Sequence, residues 1–333
     1  LAFLTGGMIW SSYGHLGEGL MRAKTALDIA SEIENHHWMA GAYYSLGEAY
    51  FALLDYNQAL EVLEAGLKVA RPQGSAFWTG HFIATLALAC GTVGNFQRAE
   101  LLLEEGLPQG QAPHNVHERR MVWVRAELAL MQRKPEEALY LAETLSNSAP
   151  GQMRERPIPM LLKVRGQALV MLGRFKEGCR LLEEARRAAH ELGACVFLWQ
   201  IQCVLVHVYL LYKKRVYAHR ELGIAYKMLD ELANSIDEGE QRERFRSAAR
   251  SRLPSVRPLT SKQAAKESFD GLSEREREIA RLIVLGKTNR EIAETLVISQ
   301  RTVGTHLEHM YAKLNLGTRA QLTTWAISKG LGE

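Results

Sequence analysis

Small residues, each followed four positions later by an apolar or small residue, recur along the first two thirds of the chain. Because residues four apart share one helix face, each pair predicts a helix that crosses a neighbour closely. A second helical stretch, such as 38–53, lies about twenty residues before each of these small residues, whose positions we call the small slots. The small positions are Gly19, Ala59, Ala99, Ala138, Gly178 and Ala218, at spacings of 40, 40, 39, 40 and 40 residues.

This period predicts about six helical hairpins over residues 1–235. One hairpin cannot bury its apolar face alone, so the hairpins must stack into an array with a continuous core. Gly94 and Gly173 fall in the predicted turns. Tyr56, Phe96 and Phe175 follow predicted turns, where their aromatic rings are expected to fill the space between the two helices of a hairpin. The array resembles the tetratricopeptide-like superhelix of MalT-type regulators, whose repeats run near forty residues. That resemblance implies a platform that senses a small-molecule or protein effector.

An uncharged stretch of 21 residues separates Glu191 from Lys213. Its length permits a membrane-spanning helix. Gln200, Gln202 and His207 lie inside it, and the repeat phase places the first helix of a sixth hairpin at about 196–212. A helix packed on both sides is apolar all round, so the repeat interpretation predicts a buried helix and no membrane partner.

The last sixty residues carry regularly spaced helix-start signals. Ser273 with Glu276 and Thr288 with Glu291 have the spacing of capping boxes. Gly286 ends the first predicted helix, and Gly330 ends the last. The predicted caps are Ser273, Thr288, Ser299 and Thr318, and the later three open helices at about 289–296, 300–314 and 319–329.

The third of these helices has two distinct faces. Val303, Leu307, Met310 and Leu314 step by 4, 3 and 4 residues, which predicts an inward apolar stripe. Arg301, Thr305, Glu308 and Ala312 step by the same intervals on the opposite, outward side. A short helix, a brief turn and a longer helix with a polar outer face predict a helix-turn-helix.

The tail resembles the LuxR-type DNA-binding domain shared by LuxR, NarL/FixJ and MalT-like regulators. The motifs are LSEREREI at 272–279, G-x-x-NREIA-x-x-L at 286–296, IS-x-RTV-x-TH at 298–306 and KL at 313–314. With the repeats, they indicate a LuxR-family transcriptional regulator with MalT-like repeats. The chain begins at Leu1, so we interpret it as a fragment that lacks the ATPase module upstream in MalT-like proteins.

We therefore expect the third helix to enter the major groove of double-stranded DNA. Thr305 offers a methyl and a hydroxyl to a base edge, and Glu308 can accept from cytosine N4. Gln300, Arg301 and Thr302 begin the helix, where backbone N–H groups suit a phosphate. Further DNA-binding candidates are Lys287, Asn289, His309, Lys313 and Arg319. The resemblance also implies a homodimer on DNA that pairs through the fourth helix, with Leu322, Trp325, Ala326 and Leu331 as candidates.

Two residues depart from the family pattern. Family members often carry Lys where this chain has Gly304, and a basic or neutral residue where it has Glu308. Both changes remove positive potential facing DNA, so binding is expected to be weakened or redirected. They are the support for an alternative function, a protein-binding repeat scaffold with a vestigial helix-turn-helix.

Charge is distributed unevenly along the chain. Residues 1–239 hold 24 Lys+Arg against 26 Asp+Glu, whereas residues 240–333 hold 17 against 11. A body of net charge −2 thus carries a tail of +6, which indicates an anionic partner for the tail. Composition is otherwise that of a globular chain, with 47% hydrophobic and 23% charged residues among 333.

No catalytic or cofactor-binding pattern emerges, and we expect no enzyme activity, cofactor or metal. The four cysteines lack metal-ligand spacing, which favours reduced thiols in a cytoplasmic protein. The sequence GKT at 286–288 is not a phosphate loop, because Arg281 stands where the motif needs glycine. RNA polymerase is left as an open further partner.

Three regions follow from these patterns. Residues 1–235 are the tetratricopeptide-like repeat domain. A capping helix to about Arg252, Pro254 and Pro258 as breakers, and a basic flexible linker occupy 236–271. Residues 272–333 are the LuxR-type helix-turn-helix domain. The predicted class is all-α: a tetratricopeptide-like α-superhelix followed by a small four-helix domain.

Overall fold

The computed structural model describes residues 11–148, 157–255, 269–314 and 316–331. Over these residues it is entirely helical and contains no strand, which confirms the predicted all-α class with tetratricopeptide-like hairpins. The first helix of the predicted first hairpin and most of the predicted linker lie outside the described residues. The helices are α1 (Leu16–Glu32), α2 (His36–Ala52), α3 (Tyr56–Ala70), α4 (Ala76–Thr92), α5 (Phe96–Gly106), α6 (Val116–Met131), α7 (Pro135–Asn147), α8 (Pro159–Met171), α9 (Phe175–Glu191), α10 (Cys195–Leu211), α11 (Arg215–Asn234), α12 (Gly239–Arg250), α13 (Glu274–Val284), α14 (Asn289–Leu296), α15 (Gln300–Leu314) and α16 (Arg319–Ser328).

The chain divides into two compact units, residues 1–208 with 220–254, and residues 209–219 with 255–333. In the first unit, consecutive helices pack as hairpins: α2 with α3, α4 with α5, α6 with α7, and α8 with α9. Gln202 of α10 donates a hydrogen bond to the Glu221 carboxylate of α11, 2.6 Å away, and joins the next pair.

The two helices of a hairpin differ in how they are buried. The first is apolar on most sides: α4 buries residues from Trp78 to Gly91 almost without interruption. The second is amphipathic, as in α9, where Leu181, Leu182 and Ala185 face the core and polar residues face outward. Because the first helices lie between neighbouring hairpins, they read as continuous apolar runs in the sequence.

The helix α10 covers the uncharged stretch that permitted a membrane interpretation. No helix among the described residues is long and apolar enough to cross a bilayer. Trp199, Ile201 and Leu205 of α10 are instead buried, which agrees with the repeat interpretation.

The small positions of the forty-residue period are buried where helices cross. At Gly178 of α9, an added Cβ would lie 2.7 Å from the Gly166 carbonyl oxygen of α8 and 2.6 Å from Val170 Cγ2. Neither distance is compatible with a side chain, so the two backbones approach directly. The predicted small slot is buried at Gly19, Ala59, Ala99, Ala138, Gly178 and Ala218.

The hairpin turns repeat with the same period. A residue with positive φ stands at each turn, 40, 40, 39, 40 and 40 residues apart. Glycine adopts this left-handed region freely, whereas other residues lose roughly 1–2 kcal/mol in it. Glycine holds only half of these turns. The six positions are Gly14 (φ 94°), Leu54 (61°), Gly94 (88°), Arg133 (61°), Gly173 (79°) and Lys213 (58°).

The start of α1 is in contact with the residue that follows α11. The Gly17 N–H donates to the Ser235 carbonyl at 3.1 Å, and the Leu16 N–H donates to Ser235 Oγ at 3.0 Å. An added Cβ at Gly17 would lie 2.5 Å from the same carbonyl, so glycine permits this contact. Arg252, after α12, donates to the Tyr56 hydroxyl at the start of α3. These contacts join the first described repeats of the unit to its last helices.

Two ion pairs lie among the first helices of the hairpins. Lys163 of α8 donates to both carboxylate oxygens of Glu127 of α6, at 2.7 and 2.8 Å, and both residues are buried. Arg120 of α6 and Thr85 of α4 both donate to Glu48 of α2, at 2.8 and 2.9 Å. Each carboxylate thereby keeps hydrogen bonds that burial would otherwise remove.

Substitution of the small slot provides a test of the close crossing. Gly178→Ala should destabilise the unit by about 1–3 kcal/mol, because the Gly166 carbonyl must move and the packing strain exceeds the gain in helix propensity. Gly223→Ala is the matched control in α11, since its added Cβ meets nothing within 4 Å. That variant should be stabilised by up to about 1 kcal/mol. Urea denaturation of both full-length variants measures the difference, and equal stabilities would show that the crossing tolerates a methyl group.

Candidate nucleic-acid interface

Side-chain caps define the helices of the second unit. Ser273, Thr288 and Thr318 each form a full capping box, with Glu276, Glu291 and Gln321 respectively. Ser299 Oγ accepts from the Thr302 N–H at 3.0 Å at the start of α15. All four predicted capping residues therefore occupy their positions, because hydroxyl side chains satisfy the free N–H groups of a first helical turn.

A short turn joins α14 to α15. Val297 adopts a left-handed conformation there (φ 52°) and is 90% exposed. The two helices are held by a core to which all four helices of the tail contribute. The buried residues are Leu272, Ile279, Ala280, Ile283, Ile292, Ala293, Val303, Leu307, Met310, Leu322, Ala326 and Leu331.

The helix α15 presents a polar face to the surface of this unit. Val303, Leu307 and Met310 are buried, as the inward stripe predicts. Thr305 Oγ1 donates to the Arg301 carbonyl at 3.2 Å, which leaves its methyl group and its oxygen lone pairs for a ligand. The exposed residues of this face are Gln300, Arg301, Thr302, Thr305, Glu308 and His309, all of them predicted DNA-binding candidates.

Gly304 lies on the same side of α15. It stands three residues after Arg301 and four before Glu308, so the three share one stripe. An added Cβ at Gly304 meets no atom within 4 Å. The helix therefore has room for a long side chain where the chain carries none.

Three further candidates come together at the start of α14. Arg319 donates to Asn289 Oδ1 at 2.9 Å and to the Lys287 carbonyl oxygen. The Lys287 ammonium lies 3.7 Å from the Glu291 carboxylate. These contacts connect α16 to α14. They place the cationic side chains of Lys287 and Arg319 beside the N-terminus of α14, where the cations and the helix dipole all favour a bound anion.

Lys313 is positioned differently from the other candidates. Its ammonium donates to both oxygens of Glu276, each at 2.7 Å, and Glu276 is buried. Burial opposes ionisation of Glu276, but the hydrogen bonds from Lys313 and Ser273 hold its pKa below the usual range. Lys313 thus neutralises the buried Glu276 carboxylate. The sequence marked Glu276 as a capping-box residue but did not reveal its pairing with Lys313.

The candidate dimerisation residues lie mostly inside the domain. Leu322 and Ala326 are fully buried, and Trp325 Nε1 donates to Asp270 Oδ2 at 2.9 Å. They pack against α13 because the apolar stripe of α16 faces the domain's own core. Pairing through α16 stays a prediction, and it would use the outward residues Ala320, Gln321, Thr324 and Ile327, of which Ile327 is 57% exposed.

Residues 270–326 match the sequence profile of the family described as bacterial regulatory proteins, luxR family. These residues form a LuxR-family regulatory domain. The match covers α13, α14 and α15 and most of α16, including every candidate on the polar face of α15.

Relatives of the LuxR-family domain and of the longer chain are regulators by name. An HTH-type transcriptional regulator of Mycobacterium tuberculosis is 28% identical over 305 residues, which are 88% of this chain and 31% of that protein. The transcriptional regulatory protein MctR of Rhizobium johnstonii is 42% identical over 69 residues, 21% of this chain and 32% of its own. The oxygen regulatory protein NreC of Staphylococcus carnosus is 45% identical over 65 residues, 20% of this chain and 30% of its own.

The chain spans about a third of the length of these relatives. Among solved structures, the TPR2AB-domain:pHSP90 complex of yeast Sti1 covers 74% of this chain and 97% of that one, at 11% identity. Its TM-score of 0.28 is too low to support any inference about this protein.

Loss of the Lys313 charge should destabilise the LuxR-family domain. In Lys313→Met, Glu276 stays buried without its cation, at a cost of about 1–3 kcal/mol. Because the folded pKa of Glu276 is depressed, its stabilisation is present above the unfolded pKa and is lost as pH falls through the folded pKa. The variant should therefore lose less stability on acidification than the parent chain.

Hydrogen exchange of the α13–α16 amides, followed by mass spectrometry at neutral and acidic pH, measures this local stability. Arg301→Ala removes the same charge from an exposed site on the same helix and should change stability by less than about 0.5 kcal/mol. Equal protection in both variants would show that the pair is energetically neutral.

Proposed function

We propose that this chain is a DNA-binding transcriptional regulator whose α15 enters the major groove of promoter DNA. The observation that carries the proposal is the polar outward face of α15, which begins at a capped N-terminus inside a LuxR-family domain. An α-helix fits the major groove, and its N-terminal residues come nearest to the base edges.

The exposed residues divide into two roles by their chemistry. Arg301 and the first backbone N–H groups of α15 contact a phosphate, which fixes position without reading sequence. Thr305 presents its methyl group to a thymine, and Glu308 accepts from cytosine N4. Lys287 and Arg319 add phosphate contacts, because both cationic side chains lie at the start of α14.

A single helix-turn-helix grips few phosphates, so the proposal includes a homodimer on two half-sites. The outward side of α16, with the exposed Ile327, is the surface proposed for pairing. The repeat unit is proposed to receive a small-molecule or protein effector that controls the DNA-binding tail. A regulator of this kind acts in the cytoplasm, where bacterial DNA lies.

The alternative function is a protein-binding scaffold with a vestigial helix-turn-helix. Gly304 and Glu308 favour it, because they lower the positive potential of the proposed DNA-binding face. The continuous α15 and its intact cap favour DNA binding instead, since Gly304 does not interrupt the helix.

Charge and base-reading variants of α15 separate the proposed roles. Arg301→Ala should weaken binding to every duplex and reduce the magnitude of the log–log salt slope by about one. Thr305→Ala should lose roughly 1–3 kcal/mol for a preferred sequence and little for others. Fluorescence anisotropy with the full chain and a duplex selected from a random pool measures both.

Arg281→Ala is the matched control, because it removes the same charge from an exposed site on α13. It should leave both affinity and salt slope nearly unchanged. If the parent chain binds no duplex at low salt, the scaffold function is favoured. Equal losses in the Arg301 and Arg281 variants would contradict the placement of α15.

Introducing a cation at position 304 tests whether the glycine there lowers DNA affinity. Gly304→Lys should tighten binding to all duplexes and steepen the salt slope by about one unit, because it adds a phosphate contact. Gly304→Ala is the control: it should stabilise α15 by about 1 kcal/mol without changing the salt slope. If the lysine variant binds no more tightly than the alanine variant, position 304 does not face DNA.

A further inference from the structure

The repeat unit contains a cleft of about 780 Å³. The second half of α9, the second half of α11 and the first turns of α10 line it. Its volume lies within the roughly 300–1,000 Å³ typical of small-molecule sites. All of its lining residues belong to the repeat unit.

One wall of the cleft is apolar. Leu198 of α10 and Ile224 and Met228 of α11 line it, together with Cys195 and Leu232. Ile224 is 40% exposed, which leaves apolar surface in contact with water. A ligand with an apolar body would remove that surface from water, which is favourable by roughly 25 cal/mol per Å².

The polar lining of the cleft is already satisfied. Gln202 Nε2 donates to the Glu221 carbonyl at 3.0 Å as well as to its carboxylate. Arg186 Nη1 donates to the same carboxylate at 2.9 Å and also pairs with Glu183. This network fixes the polar lining and leaves Arg186 and Gln202 little capacity to hold a ligand.

The rim differs, because its cation Arg187 has no side-chain partner among the described residues. No acceptor in this part of the chain lies within bonding distance of the Arg187 guanidinium. His190 lines the rim one turn further along α9. Lys227 lies opposite on α11, 4.0 Å from Glu231. Glu191 is a second acidic residue on the rim. An anion binds here only if its attraction to the Arg187 guanidinium exceeds its repulsion by the Glu191 carboxylate.

The end of the cleft is closed by the start of the chain's described part. Gly14 packs so closely that an added Cβ would lie 3.0 Å from Cys195 Cβ and 3.1 Å from Leu232 Cδ2. The Tyr13 ring lies against the turn at Gly193, where an added Cβ would be 2.9 Å from it. The cleft is therefore built from both the first and the last repeats of the unit.

We propose that this cleft binds a small amphipathic carboxylate, with its apolar body on Leu198, Ile224 and Met228 and its carboxylate on Arg187. Arg187 is exposed at the rim. Its guanidinium matches a carboxylate with two parallel hydrogen bonds. Lys227 adds positive charge on the opposite side, and His190 offers a hydrogen-bonding ring nitrogen beside Arg187. The proposal rests on the proposed role of the repeat unit as an effector receiver and names the effector's chemistry.

Isothermal titration of the full chain with octanoate, octanol and octylammonium tests the cleft without DNA. Octanoate should bind saturably, at one per chain, and at least tenfold more tightly than either of the others. Arg187→Gln should reduce octanoate affinity about tenfold while leaving octanol unchanged. Lys176→Gln, which removes an exposed charge near the other end of α9, should change neither. Ile224→Trp should abolish binding of octanoate by filling the cleft from a half-exposed position.

The outcomes are separable from those of the DNA experiment. No saturable octanoate binding would overturn the site. Equal affinity for octanoate and octanol, or preference for octylammonium, would overturn the carboxylate assignment, the latter by showing that Glu191 dominates the rim. Anisotropy with the selected duplex is measured on the same preparations, so DNA binding without octanoate binding refutes only the cleft, and the reverse refutes only the DNA proposal.

Discussion

The close crossing of helices at a repeated small residue is the constraint on which the repeat unit depends. At Gly178, two backbones approach to a distance that excludes even a methyl group. Ala occupies four of the other slots, where a methyl group is accommodated but no larger side chain is present. This close packing of the second helices encloses the first helices between neighbours, as for α4 and α10. Close spacing also brings Glu127 and Lys163 together away from water. A small residue every forty positions therefore determines which helices can be apolar and which must be amphipathic.

Sequence patterns predicted the elements better than the contacts between them. The caps and bounds of α13–α16 were predictable because hydroxyl caps and glycine stops act within one helical turn. The turn glycines Gly94 and Gly173 were visible, whereas Leu54, Arg133 and Lys213 adopt the same left-handed backbone without any local signal. In α16, amphipathic spacing marks an apolar stripe but does not distinguish a domain core from a dimer surface. Leu322 and Ala326 could therefore be predicted to lie on an apolar face of α16, but not to be fully buried within the domain. Long-range pairs such as Lys313 with Glu276 had no sequence pattern.

The polar face of α15 is held in place by charges that do not belong to it. Lys313 anchors the end of the helix to a buried carboxylate on α13, and Arg319 joins α16 to the start of α14. The outward residues are thus supported by a fixed framework, and the face itself carries one strong cation, Arg301, and one anion, Glu308. If α15 binds DNA as proposed, such a face would read bases with little help from general attraction to phosphate, which would shift the balance from affinity towards sequence discrimination.

The contact between Gly17 and Ser235 changes how the repeat unit can vary and unfold. In an open stack, stability is a sum over neighbours, so a hairpin can be added, lost or frayed at one end without disturbing the others. Here the hydrogen bonds from Leu16 and Gly17 to Ser235 join the described start of the repeats to their end. A hairpin between these points cannot be removed without separating the two sides of this contact. Fraying of α1 likewise breaks it, so α1 and the end of α11 are expected to lose structure together.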